Sequence, residues 1–171
     1  MQKYGFKWTA SGAAVFWNSI RSIKAAKQLN QEFSEHAPNR LENQEIVTFF
    51  RDDRLSDLIG FEYSSWHADH AVENLIHNLK EISQIESDHP NRLVSIILDG
   101  ENAWEHFPKN GYYFLNALYK RLANHPDIEL TTYSAFLEGK DIQPQILTKL
   151  IAGSWVHGTL STWIGDKDKN R

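Results

Sequence analysis

Apolar residues follow two patterns along this chain, and each pattern predicts one kind of element. Continuous apolar runs predict buried strands at 46–50 and 93–98, and alternation of aromatic and polar residues predicts a short strand at 4–9. Apolar residues at helical spacing predict helices at 13–29, 68–82 and 112–122. The remaining expectations are a further candidate strand at 128–132, a short helix or ordered loop at 55–63 and a polar loop or frayed helix at 31–44. Two helical pieces are expected within 133–151 and an ordered loop at 153–171.

Strands that alternate with helices favour parallel βαβ units, and strands that are apolar throughout are typical of sheets covered on both faces. A closed (β/α) barrel needs about eight strands and about 250 residues. This chain has 171 residues and offers three or four predicted strands. The expected fold class is therefore α/β with mostly parallel strands and helices packed outside, and the strands are too few for a closed barrel.

Composition narrows the function classes. The formal net charge of −4 disfavours a nucleic-acid binder, which usually carries a basic patch. There are no cysteines for disulfides or thiolate chemistry. No apolar run reaches the length of a membrane span, and the N-terminus lacks the apolar core of a signal peptide, so we expect a cytoplasmic protein. Aromatic residues make up 12% of the chain, which fits either a well-packed core or a cleft with aromatic walls.

The segment from Val94 to Glu105 is the strongest candidate for chemistry. An apolar strand leads into Asp99, Gly100 and Glu101, and Trp104 follows. Carboxylates at a strand end are typical of α/β enzymes, and a tryptophan beside them suits a sugar, whose C–H face stacks on an indole. Glycoside hydrolysis uses two carboxylates. The alternative is structural, since an aspartate before a helix also caps free backbone N–H groups.

Three other segments carry weaker signals. Arg51, Asp52 and Asp57 follow the strand at 46–50, where they form either a buried ion pair that positions other acids or a solvated charge run. Trp155 and Trp163 in the tail predict either a sugar-stacking wall or an apolar plug under a loop. His67 and His70 lie three residues apart on a predicted helix, but no third ligand is evident for a zinc site, so we predict no metal and no cofactor.

Taken together and in order, four segments resemble glycoside hydrolase family 57, the amylase and amylopullulanase group. The resemblance covers nearly the whole chain. It is carried by Gly5-Phe-Lys-Trp-Thr-Ala-Ser-Gly12, by Phe49-Phe-Arg-Asp with Leu55-Ser-Asp-Leu-Ile-Gly-Phe61, by Leu98-Asp-Gly-Glu-Asn-Ala-Trp-Glu105, and by Gly153-Ser-Trp155 through Trp163-Ile-Gly165.

The resemblance implies the second half of a (β/α)7 barrel and retaining cleavage or transfer of α-glucans without a metal. It implies that Asp99 is the general acid/base and that Glu101, Trp104, Trp155 and Trp163 contact an α-glucan or maltooligosaccharide. Residues 1–132 would form the barrel half and residues 133–171 a helical and aromatic-loop segment of one partial catalytic domain.

The family's first three motifs, which include the nucleophilic glutamate, have no match in residues 1–40. We therefore expect the C-terminal part of a catalytic domain, inactive alone or active with a partner chain that supplies the other barrel half. A partial barrel leaves a strand edge and an apolar face open, so self-association is also expected. The alternative is a non-catalytic carbohydrate-binding or decayed remnant protein.

Overall fold

A computed structural model describes residues 1–27, 32–86, 91–100, 104–139 and 142–165. The strands are β1 (Trp8–Gly12), β2 (Asn39–Leu41), β3 (Val47–Arg51) and β4 (Gln145–Leu147). The helices are α1 (Ala13–Lys27), α2 (Asp53–Asp57), α3 (Ala68–Ile85), α4 (Tyr112–Ala123), α5 (Tyr133–Leu137) and α6 (Ser161–Ile164). Short helical turns of other types occur at Gln2–Tyr4, Leu58–Glu62, Tyr63–Ser65 and Pro108–Gly111.

The described residues group into two compact units. We call the first, which holds all four strands, the sheet unit; it comprises the described residues within 1–53, 91–95 and 142–165. We call the second the helical unit; it comprises the described residues within 54–86, 96–100 and 104–139. The helices α3 and α4 lie in the helical unit, and α1 lies in the sheet unit.

The sheet has the strand order β1-β3-β2-β4. β1 runs parallel to β3, with Trp8 opposite Val47 and Gly12 opposite Arg51. β2 is antiparallel to β3 and parallel to β4. All five residues of β3 are buried, and three of them, Val47, Phe49 and Phe50, are apolar, as expected for a strand covered on both faces. The predicted α/β class with mostly parallel strands is confirmed.

One apolar cluster joins α1 to the sheet. The members of this cluster that lie on α1 are spaced at the helical period, so α1 turns one face toward the strands. The rings of Phe16 on α1 and Phe50 on β3 lie 4.9 Å apart, and both side chains are fully buried. The buried members of the cluster are Phe16, Ile20, Ile23, Phe33, Phe50 and Leu147.

The helical unit is held by the packing of α3 against α4. The helices predicted at 68–82 and 112–122 are confirmed, with slightly longer bounds. Tyr63 is almost fully buried beside Phe114, with 5.9 Å between the ring centres, and its hydroxyl donates a hydrogen bond of 2.7 Å to Asn74 Oδ1. Among the described residues, no helix combines the length and the apolar character that crossing a bilayer requires.

Several predicted elements were wrong. Within 93–98 only Ser95 pairs with another strand, through an isolated parallel bridge to Arg51. The N–H of Ile97 donates instead to the hydroxyl of Ser56, a side chain, so the ladder is not extended. Residues 128–132 form no strand. β2 lies within the predicted polar loop, and β4 replaces the second helical piece predicted within 133–151.

Candidate functional site

Charged side chains gather where β3 ends. Arg51 and Asp52 are 6% and 3% exposed, although both are charged residues. The Arg51 guanidinium pairs with Asp53, a residue that the sequence pattern did not mark, with 2.8 Å between Nη1 and Oδ1. Asp53 Oδ2 also accepts a hydrogen bond of 3.2 Å from the N–H of Ala14 in the first turn of α1. The carboxyl end of β3 is thereby tied to the start of α1.

Trp155 lies over this ion pair. The Arg51 guanidinium carbon is 5.1 Å from the centre of the Trp155 ring, which is within the range of a cation–π contact. Trp155 nevertheless keeps 39% of its surface exposed. The arrangement presents an indole at the carboxyl end of parallel strands, the edge where α/β folds usually bind ligands.

Glycines hold the loop that carries Trp155 close to β1 and α1. A Cβ on Gly12 would lie 2.8 Å from the Trp155 Cα, and a Cβ on Gly158 would lie 2.7 Å from the Ala14 Cβ. The Gly158 carbonyl accepts a hydrogen bond of 3.0 Å from Asn18 Nδ2. This close approach requires the absence of side chains, so the loop is docked rather than merely adjacent.

A buried polar cluster lies beside Asp52. His36 Nε2 is 3.0 Å from Asp52 Oδ2 and 3.8 Å from Glu35 Oε1. The indole N–H of Trp17 donates to Glu35 Oε2 at 2.5 Å. Burial raises the pKa of the Glu35 carboxyl, and the positive charge of His36 and the Trp17 hydrogen bond oppose that shift. Glu35 and His36 fall in the polar segment predicted as a loop, where no local pattern marks them as buried.

Asp99 belongs to the helical unit and is half-buried. It follows the segment anchored by the Ile97–Ser56 hydrogen bond of 3.2 Å. A Cβ on the next residue, Gly100, would meet no atom within 4 Å, so the described surroundings of this backbone are open. Glu101 lies outside the described residues.

The other predicted site residues differ in their surroundings. Trp104 lies in an aromatic group of the helical unit, 5.4 Å from Phe107 and 6.1 Å from Phe114 between ring centres. Asp57 ends α2 and is exposed. Trp163 lies on α6 and is 64% exposed. Of the predicted residues, Arg51 and Trp155 form a cation–π contact, and Asp52, which follows Arg51 in the chain, lies 3.0 Å from His36.

Comparison with known proteins identifies one family. The sequence model of the family glycosyl hydrolase family 57 matches residues 1–150 of the chain. The matched range includes Arg51, Asp52, Asp57 and Asp99, whereas Trp155 and Trp163 lie beyond it. No curated protein matches the chain. The resemblance read from the sequence motifs is therefore confirmed at the level of the family.

Proposed function

The chain belongs to glycosyl hydrolase family 57, and on this premise we propose that it forms part of a retaining α-glucan hydrolase or glucanotransferase in which Asp99 is the general acid/base. The observation that carries the proposal is the segment Leu98-Asp-Gly-Glu-Asn-Ala-Trp-Glu105, which lies inside the matched range and resembles the family's acid/base motif.

Asp99 would donate its proton to the glycosidic oxygen as the bond to the leaving sugar breaks. The carboxylate would then take a proton from water or from an acceptor hydroxyl, which attacks the glycosyl intermediate. This sequence needs a second carboxylate about 5–5.5 Å away as the nucleophile. Glu101 is a poor candidate, because residues two apart in sequence can hardly flank a sugar ring. We infer that the nucleophile comes from polypeptide outside these 171 residues.

Trp155 is the best-supported sugar contact in the sheet unit. The Arg51 guanidinium carbon lies 5.1 Å from the centre of its ring, and 39% of the Trp155 surface stays exposed, so part of the indole is available to the C–H groups of a glucose residue. Arg51 itself forms an ion pair with Asp53, which orients the guanidinium beside the indole. We propose that Trp155 binds the α-glucan and that Arg51 positions it.

The catalytic proposal is tested by mixing the chain with a polypeptide that carries the first half of a family 57 catalytic domain. Turnover of starch, pullulan and maltooligosaccharides is then measured. Asp99→Asn should lower turnover by about 10²–10⁴-fold, the usual contribution of a general acid/base. The matched control is Asp127→Asn, an exposed aspartate that should leave turnover unchanged. A soluble complex without turnover, or equal rates for wild type and Asp99→Asn, would rule the proposal out.

A second candidate function is carbohydrate binding without turnover. It is favoured by two partly exposed tryptophans of the sheet unit that are fixed by neighbours: Trp155 by Arg51, and Trp17 by Glu35, with Trp17 40% exposed. Maltooligosaccharides titrated into the isolated chain should then change its tryptophan fluorescence. Trp155→Ala should weaken that response, while Trp66→Ala, which removes an indole of similar exposure from the helical unit, should preserve it. A titration with no response in wild type would exclude this function.

A further inference from the structure

Three side chains of the types that bind transition metals converge in the sheet unit. They are Glu35 and His36, from the segment between α1 and β2, and Asp52, which follows β3 directly. Their side chains are 17%, 7% and 4% exposed, respectively. One ligand atom from each residue lies within 4.8 Å of the other two. The cluster therefore combines an imidazole nitrogen with two carboxylate oxygens in a buried place.

The separations fit a single small cation. Zinc binds imidazole nitrogen and carboxylate oxygen at about 2.0–2.2 Å, so two ligands at a tetrahedral angle lie about 3.4 Å apart. His36 Nε2 is 3.0 Å from Asp52 Oδ2 and 3.8 Å from Glu35 Oε1, values that bracket this separation. The ligand atoms of the three residues all lie within 4.8 Å of one another.

The chemistry of the three groups also suits a divalent cation. Imidazole nitrogen and carboxylate oxygen are both ligands that zinc binds, and two carboxylates with a neutral imidazole around one divalent ion have no net charge, which favours a buried site.

The ligands are also oriented by neighbouring groups, as metal ligands generally are. Trp17 donates its indole N–H to Oε2 of Glu35, which leaves Oε1 for an ion. The backbone of His36 is fixed at both ends: its N–H donates to Ser34 Oγ at 3.0 Å, and its carbonyl accepts from the N–H of Leu93 at 2.7 Å.

We propose that Glu35, His36 and Asp52 bind one divalent transition-metal ion, with zinc as the best match to this ligand set. The ion would tie the segment between α1 and β2 to the end of β3 and so stabilise the sheet unit. Three protein ligands leave a fourth position for water. The proposal does not depend on the glycosidase function, whose chemistry uses carboxylates alone.

The test is zinc binding by the whole chain after treatment with a chelator. Isothermal titration with Zn²⁺ should show one site per chain, and the thermal unfolding midpoint should rise with zinc because only the folded state holds the site. Glu35→Gln, which keeps an oxygen acceptor for the Trp17 indole, should weaken binding by at least about 10–100-fold. His36→Gln should do the same, so the test does not rest on a single variant.

The matched control removes a different pair of histidines. His67 and His70 are exposed, their rings are 5.3 Å apart, and together they could bind zinc weakly at the start of α3. The double variant His67→Ala/His70→Ala should keep the one-to-one site. The proposal is overturned if wild type shows no stoichiometric zinc binding, or if binding persists in Glu35→Gln and His36→Gln but is lost in the double variant.

Discussion

Replacing Gly158 with alanine tests how the Trp155 loop is held. Gly158 has a φ of +65°, a conformation that costs an L side chain about 1–2 kcal/mol. The new Cβ would also lie 2.7 Å from the Ala14 Cβ, 2.9 Å from the Ala14 carbonyl carbon and 2.8 Å from Asn18 Nδ2. The Ala14 atoms belong to the first turn of α1 and cannot move freely, so the loop must shift.

The structure offers a control that separates the two costs. Gly5 has a φ of +80°, but a Cβ there would meet nothing within 4 Å. Gly5→Ala should therefore cost only the backbone strain of about 1–2 kcal/mol. Gly158→Ala should add an overpacking cost of about 1–3 kcal/mol and weaken the hydrogen bond from Asn18 to the Gly158 carbonyl.

Urea unfolding followed by circular dichroism measures the difference between these variants. With a slope of about 1–3 kcal/mol per molar urea, an extra loss of about 2 kcal/mol lowers the midpoint of Gly158→Ala by roughly 1 M relative to Gly5→Ala. If the loop undocks instead, the indole of Trp155 becomes more accessible and iodide quenches more of the tryptophan fluorescence. Equal midpoints for the two variants, together with quenching like that of wild type, would refute the docked loop.

Two further predictions concern the two units separately. Phe50→Ala should lower the free energy of unfolding by about 3–5 kcal/mol, because the ring is fully buried and lies 4.9 Å from the ring of Phe16. The control Phe61→Ala, at a residue that is 77% exposed, should change it by no more than about 0.5 kcal/mol. Equal losses for the two variants in urea unfolding would contradict the described core. Burial raises the pKa of Tyr63 to about 12 from 10.0, so the buried neutral hydroxyl contributes stability that is complete below pH 10 and is lost as the pH rises toward 12. Over that interval wild type should lose up to about 1 kcal/mol per pH unit more than Tyr63→Phe, and parallel pH profiles for the two proteins would count against the buried hydroxyl and its bond to Asn74.

The elements that sequence patterns predict well are those whose pattern is local and long. The apolar stripe of α3 repeats over five turns, and Ala71, Val72, Leu75 and Ile82 are buried as the spacing requires. The run at 46–50 is apolar at every position except Thr48, and β3, which it becomes, is buried throughout. In both cases the pattern of apolar residues that predicts the element lies within about a dozen consecutive residues.

The elements that the pattern missed depend on distant partners. β2 and β4 have three residues each and include Asn39, Arg40 and Gln145, so neither shows alternation or an apolar run. They are strands because they pair with each other across about a hundred residues of sequence. For segment 93–98 the prediction was wrong in the opposite way. The segment has the composition of a strand, but the N–H of Ile97 donates its hydrogen bond to the Ser56 hydroxyl and not to another strand.

The residues of the candidate site also fall into those that the sequence marks and those that it does not. Motif order was enough to indicate the family and to mark Arg51, Asp52 and Asp99. Glu35, His36 and Trp17 could not be predicted, because each lies in a segment whose local pattern indicates a loop or a helix surface. Glu35 and His36 come close to Asp52 only in the folded sheet unit, where the half-exposed Trp17 donates a hydrogen bond to Glu35.

The role of Asp99 is tested most directly by changing the leaving group. In the complex with a polypeptide carrying the first half of a family 57 catalytic domain, Asp99→Ala is compared with wild type on maltooligosaccharides and on a dinitrophenyl maltooligoside. Dinitrophenolate leaves without a proton, so its release should be nearly unchanged in the first turnover, whereas cleavage of the maltooligosaccharide should fall by about 10²–10⁴-fold. Equal losses on both substrates, or no loss on either, would contradict Asp99 as the acid that protonates the glycosidic oxygen.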